Sequence, residues 1–162
     1  GQLESHDQVE TAIYLSKLPW VDAKHIGIWG WSFGGFNTLM SMSEGRPVFY
    51  AGVAVAPPTS WRYYDTVYTE RFMRTPKENP EGYDCSPISR AKNLSGSLLI
   101  IHGSADDNVH YRNVAEYTEA LVHADKDFRQ LTYTNRNHSI YGGNTRNHLF
   151  RQLVNHFKQS MK

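Results

Sequence analysis

Three side chains in this 162-residue chain could together attack a carbonyl: Ser32 in the run Gly30-Trp31-Ser32-Phe33-Gly34, an acid from Asp106-Asp107, and His138 in Asn135-Arg136-Asn137-His138. Nucleophilic catalysis on an acyl group needs a hydroxyl, a base to take its proton, and an acid that orients the base and stabilises the imidazolium. The spacing Gly30-x-Ser32-x-Gly34 predicts a nucleophile elbow. In such a strand-to-helix turn small residues let the helix pass close to the strand, and the serine stands exposed above the sheet. The pentapeptide alone also fits an ordinary turn. The run before it (Ile26, Ile28) and the apolar residues after it (Phe36, Leu39, Met40) favour the elbow. The backbone N–H of Phe33 then falls at a helix N-terminus, where unpaired donors and the dipole favour the charge of a tetrahedral intermediate.

Of eight histidines, His6, His25, His110, His123, His148 and His156 fall on helices or strand starts, where a surface or half-buried ring is the ordinary reading. His102 ends a buried strand and reads as packed rather than catalytic. Only His138 lies in a polar loop after a strand, which makes it the expected base. Position does not separate Asp106 from Asp107 as the acid, and Asp107 or Asn108 has the further reading of capping the following helix. The chain order Ser, Asp, His is that of the α/β-hydrolase fold; chymotrypsin-like and subtilisin-like enzymes use other orders. No His, Cys and acidic residues have metal-ligand spacing, and no G-x-G-x-x-G or G-K-[ST] is present. Neither a metal nor another cofactor is expected.

These residues need elements to hold them. A helix is predicted from about Gln2 to Leu18, with Val9, Ala12, Ile13 and Ser16 on one face and Pro19 barring its continuation. The elbow strand, from about His25 to Trp29, and a helix from about Phe33 to Ser43 follow, then a strand over Ala51 to Val55. Leu98 to His102 is a continuous apolar run, as expected of a parallel strand buried on both faces. A helix striped by Val114, Tyr117 and Leu121, a strand from Phe128 to Thr132, and a last helix burying Leu149, Phe150, Leu153, Val154 and Phe157 complete the chain. The alternation predicts an α/β fold with a parallel sheet of about four strands flanked by helices, whose polar loops share the carboxyl edge. Between Thr59 and Lys92 the rhythm breaks into an aromatic, proline-containing insertion over one end of the sheet. There Trp61, Tyr64 and Tyr68 stand at i, i+3 and i+7, so on a helix they form one face, either plain core or the wall of an apolar pocket.

The formal charge of +1 is spread along the chain without the basic stripe of a nucleic-acid binder. No apolar run reaches ~18 residues, and the first residues lack the basic start and apolar core of a signal peptide, so a soluble chain is expected. Cys85, the single cysteine, excludes an internal disulfide and reads as a small loop side chain.

The pieces Gly30-Trp-Ser-Phe-Gly-Gly35, Trp61-Arg-Tyr-Tyr-Asp-Thr-Val-Tyr-Thr-Glu-Arg71, His102-Gly-Ser-Ala-Asp-Asp-Asn-Val-His110 and the loop ending in His138 resemble the prolyl oligopeptidase clan of serine peptidases, and within it the dipeptidyl peptidase IV group. The resemblance runs over nearly the whole chain. It implies Ser32, Asp106 and His138 as the triad, Phe33 N–H as an oxyanion donor, and Asn108 and Val109 facing the substrate. It further implies that Phe33, Trp61, Tyr64 and Tyr68 form the pocket for the residue preceding the cleaved bond. Phe33 departs from the tyrosine common after the nucleophile in this group. The family has about four further sheet strands upstream, a tyrosine hydroxyl there that completes the oxyanion hole, and a β-propeller that binds the substrate's N-terminus.

The chain is therefore expected to be the C-terminal half of an α/β-hydrolase catalytic domain, residues 1–162. In the full-length protein it would cleave N-terminal dipeptides after proline or alanine. The resemblance also implies a peptide substrate, a homodimer, and a periplasmic, cell-surface or secreted location. As an isolated fragment the chain is expected to be nearly inactive and to self-associate along the strand left at the sheet edge. Two other readings are a tripeptidyl or acylaminoacyl peptidase of the same clan, and a non-catalytic α/β-hydrolase module used for association; the second would not need to keep Ser32, Asp106 and His138 together.

Overall fold

The computed structural model describes residues 1–162. Four strands, β1 (Gly27–Trp31), β2 (Ala51–Val55), β3 (Ser97–Gly103) and β4 (Arg129–Tyr133), form one sheet in the order β1-β2-β3-β4. Every pairing is parallel. Six helices accompany it: α1 (Gln2–Leu15), α2 (Phe33–Met42), α3 (Thr66–Met73), α4 (Pro80–Asp84), α5 (Arg112–His123) and α6 (Thr145–Ser160).

Alternation along the central strands divides the core in two. Leu98 and Ile100 of β3 and Ala54 of β2 join Val9, Leu39, Val114, Tyr117 and Leu121 on one face. Leu99, Ile101, Val53 and Val55 join Ile140, Leu149 and Leu153 on the other. Both faces are therefore dry, which is why β2 and β3 read as near-continuous apolar runs. The outer strands differ: β4 carries Arg129, Gln130 and Thr132 outward, and polar side chains of that kind keep an edge from pairing with another chain. β1 forms the opposite edge.

Several expectations are corrected. The first helix ends at Leu15, where Lys17 and Leu18 bond back three residues and tighten the chain into a turn before Pro19. Phe150 and Val154 of α6 are exposed rather than buried; Leu149 and Leu153 take the sheet-facing stripe, and Phe150 leans edge-on against Trp29 at the β1 edge. His156 is fully buried, its Nε2–H donating to the Ser97 carbonyl at 3.1 Å.

Trp61, Tyr64 and Tyr68 do not share a helix. Ser60 caps a 3₁₀ turn at Trp61–Tyr63, Tyr64 is extended, and Asp65 starts α3 by accepting from the Tyr68 N–H. Two side-chain caps five residues apart prevent one continuous helix. Tertiary packing brings the rings together all the same, with centroids 5.9 Å apart for Trp61–Tyr64, 6.1 Å for Trp61–Tyr68 and 5.3 Å for Tyr64–Tyr68. Trp61 seats the cluster on Phe36 of α2.

Candidate active site

β1 delivers the nucleophile. At its end Ser32 has φ 58° and ψ −120°, a conformation that costs a non-glycine residue on the order of 1–3 kcal/mol. The Ser32 N–H donates to Val55 O at 2.8 Å, which ties the elbow to β2. The elbow closes because Gly30 has no side chain: a Cβ there would lie 2.1 Å from Gly34 O. Gly34 itself is not under that constraint, since a Cβ on it would meet nothing within 4 Å. As the first residue of α2, Phe33 has no acceptor inside the helix for its N–H, so this donor is available beside Ser32 Oγ.

β3 and β4 deliver the other two groups. Their register, His102 opposite Thr132 and Gly103 opposite Tyr133, starts the two following loops at the same level. Backbone bonds then join the loops, Ser104 N–H to Tyr133 O at 3.0 Å and Ala105 N–H to Arg136 O at 3.1 Å. His138 is thereby placed with Nε2 2.9 Å from Ser32 Oγ and Nδ1 2.8 Å from Asp106 Oδ2. With the carboxylate on one side, Nδ1 carries the hydrogen and Nε2 presents its lone pair to the serine hydroxyl.

The structure separates the two aspartates. Asp106 turns inward, its side chain fully buried, while Asp107 faces solvent. Asp106 Oδ1 accepts the N–H groups of Asn108 and Val109 at 2.9 and 2.8 Å. Neither Asp107 nor Asn108 caps α5: the helix starts after Tyr111 without a side-chain cap, and Asn108 Oδ1 instead accepts from the Tyr64 hydroxyl at 2.6 Å. Val109 is fully buried, its backbone holding Asp106.

Burial works against the Asp106 charge, but the ring N–H groups of His102 and His138 and the N–H of Asn108 outweigh it and hold the carboxyl well below the usual carboxylate range. A pKa depressed on folding contributes stability that is complete above the unfolded value, about 3.9, and lost as pH falls through the lower folded value. The stability difference between the protein and Asp106→Asn, from denaturant titrations, is therefore expected to be kept as pH falls to about 5 and to shrink below about pH 4. A difference already shrinking between about pH 7 and 5 would mean that the carboxylate is not held as described.

Two residues that sequence reasoning passed over hold the His138 loop. Trp31 Nε1–H donates to His138 O at 3.0 Å, and Arg146 donates to Ser139 O at 3.0 and 3.2 Å while lying over the Trp31 ring. Trp31 and His138 are 107 positions apart, so no local pattern signals the contact. Beyond the serine, Ser32, Phe33, Pro58, Trp61, Tyr64 and Tyr68 line a cavity of about 110 Å³. A larger cavity of about 640 Å³ shares Phe33, Trp61 and Tyr68 but does not touch Ser32, so the smaller one is the candidate subsite. No group of three or more His, Cys, Asp and Glu side chains is arranged to hold a metal ion.

A serine at a strained strand–helix elbow, backed by a histidine and a buried aspartate from later loops of a parallel sheet, is the arrangement of a serine hydrolase of the α/β-hydrolase type. The whole of residues 1–162 matches the prolyl oligopeptidase family, and the chain belongs to it. It is 45% identical to dipeptidyl peptidase 4 of Felis catus over 98% of this chain and 21% of that protein. It is 44% identical to venom dipeptidyl peptidase 4 of Vespula vulgaris over 88% of this chain and 19% of the relative. The crystal structure of Porphyromonas gingivalis dipeptidyl peptidase 4 superimposes with a TM-score of 0.95 at 54% identity, over 97% of this chain and 22% of that one. The chain thus spans about a fifth of the length of the relatives it matches.

Proposed function

We propose that this chain forms the C-terminal part of the catalytic domain of a longer serine exopeptidase that removes dipeptides from peptides with a free N-terminus, cleaving after proline or alanine. The observation that carries the proposal is the line Ser32–His138–Asp106 beside an aromatic cavity bordered by the nucleophile. Similarity to proteins named dipeptidyl peptidase 4 supports the dipeptide unit.

In this mechanism His138 Nε2 takes the Ser32 proton as Oγ attacks the scissile carbonyl, and Asp106 stabilises the imidazolium. The Phe33 N–H receives the developing oxyanion. His138 then protonates the leaving amine, and a water activated by the same ring hydrolyses the acyl-enzyme. Phe33, Trp61, Tyr64 and Tyr68 wall the subsite for the residue before the cleaved bond, where flat aromatic faces suit a rigid apolar ring. In this reading Asn108, whose Oδ1 accepts from the Tyr64 hydroxyl of the cavity wall, faces the substrate.

The test uses the intact protein with Xaa-Pro and Xaa-Ala anilides bearing a free or an acetylated amine. Hydrolysis of the free-amine substrates alone is expected. Preference for acylated substrates, or release of tripeptides, would replace this reading by an acylaminoacyl or tripeptidyl peptidase. A homodimer accompanies the proposal, and sedimentation of the intact protein decides it.

The aromatic wall makes a separate expectation. Tyr64→Ala removes one side of the cavity, so the loss in kcat/KM for an Xaa-Pro substrate should exceed that for a matched bulky residue by ~1–3 kcal/mol, the scale on which apolar pockets discriminate. Equal losses on both would make Tyr64 a support of the fold instead.

A further inference from the structure

We propose that His102 is a positioning residue for the acid of this site, clamping Asp106 through a single shared ring N–H; the inference rests on reading Ser32, His138 and Asp106 as a hydrolytic triad. His102 lies near the end of β3 and its ring is wholly buried. Its Nε2 is 2.8 Å from Val109 O and 3.2 Å from Asp106 Oδ2. Both neighbours are acceptors, so the hydrogen sits on Nε2, directed at the carbonyl and shared with the carboxylate. Nδ1 is sealed from water without a partner. A proton there would be a buried donor with no acceptor, which places the single ring hydrogen on Nε2.

The contacts close a loop. Val109 N–H donates to Asp106 Oδ1, Val109 O accepts from His102, and the same His102 hydrogen approaches Asp106 Oδ2. One ring therefore fixes both the carboxylate and the residue that donates to it, and ties them to the rigid end of β3. Without it, the Oδ2 that faces His138 would have that ring as its one side-chain donor. Tyr111 stands edge-on to His102, centroids 5.7 Å apart at 88°, and keeps the imidazole plane aimed at the acid.

Packing alone does not account for this residue. A side chain of similar size without polar atoms would fill the same space but would take the ring N–H from Val109 O and Asp106 Oδ2, so the imidazole is kept for that donor although its Nδ1 stays unpartnered. Departures of this kind from core chemistry are expected where a site needs a particular donor.

The experiment compares His102→Phe and His102→Gln in the intact protein. Glutamine can place an amide N–H near the position of ring Nε2; phenylalanine fills the volume and donates nothing. We expect His102→Phe to lower kcat about 10²-fold, the scale of a small misplacement in a catalytic array, with KM nearly unchanged. His102→Gln should recover most of that loss. Full kcat in His102→Phe, or equal losses in both variants when their melting temperatures match the parent's, would overturn the proposal. Should the phenylalanine variant fail to fold, ¹⁵N spectra of the histidine-labelled parent decide: a His102 ring protonated on Nε2 alone at the assay pH supports the clamp, and protonation on Nδ1 sinks it. A parent protein that hydrolyses no peptide substrate would instead remove the peptidase reading, and the two failures are thereby distinguishable.

Discussion

Replacing Ser32 by alanine in the intact protein is expected to lower kcat by roughly 10⁵- to 10⁶-fold while leaving substrate affinity nearly unchanged, because loss of a triad nucleophile removes the covalent path whole. The structure says why binding should survive. Ser32 contributes one of six residues to the cavity wall, and the aromatic rings that make up most of it are seated on Phe36 and on one another. The backbone that shapes the elbow is held from outside, by the Ser32 N–H to Val55 O bond and by the approach of Gly30 to Gly34, neither of which involves the hydroxyl. Alanine must still adopt the positive φ of this position, as serine does, so the variant should fold with similar stability. Kinetics on an Xaa-Pro anilide, with equilibrium binding of a substrate-like inhibitor to the variant, checks both halves. A variant that keeps a hundredth of the parent's kcat would mean that another group is the nucleophile.

Gly103→Ala is expected to cost about 10²- to 10³-fold in kcat although residue 103 touches no substrate, because it displaces the loop that carries the base. A Cβ at this position would stand 2.2 Å from Arg136 O and 2.9 Å from Asn137 O. Both are main-chain atoms and cannot rotate aside. Arg136 O also accepts from Ala105 N–H, so the recoil would break the bond that joins the acid loop to the base loop. His138 follows two positions later, and its two contacts of 2.9 and 2.8 Å leave no slack. Overpacking of this kind also destabilises by about 1–3 kcal/mol. Gly34→Ala serves as the control. It belongs to the same elbow motif, yet its Cβ would enter open space, so kcat should stay within a few-fold of the parent's. Activity measured beside melting curves separates the two effects: a stable Gly103→Ala enzyme with full kcat would show that the loops part without moving the base.

Much of the architecture was legible because its signals are local. The period-two pattern and Gly30-x-Ser32 mark the elbow, and the apolar runs Ala51–Val55 and Leu98–Ile101 mark strands covered on both faces, as the two core clusters confirm. The order of Ser32, the aspartate pair and His138 along the chain, each after a strand, was enough to bring their loops to one sheet edge, since parallel strands all end on the same side. The aromatic stretch was legible as a cluster but not as a shape: the spacing of Trp61, Tyr64 and Tyr68 mimics a helix face, and the Ser60 and Asp65 caps that break it act through single hydrogen bonds that periodicity does not register.

Contacts between distant segments were decided by tertiary structure alone. Asp106 and Asp107 are neighbours of identical chemistry, and what chooses between them is the turn that points Oδ1 at two backbone N–H groups and Oδ2 at a ring 32 positions away. The same holds for His102, legible as a buried strand residue but not as a partner of the acid, and for Trp31 and Arg146 holding the His138 loop. Even the glycines divide this way: the motif treats Gly30 and Gly34 alike, and the path of the backbone gives only the first a neighbour to avoid. Side-chain type and spacing constrain a residue's own element through bonds a few positions long, whereas the partners of that side chain depend on how strand registers and loop crossings align groups dozens of positions apart, and those alignments exist only once the sheet has formed.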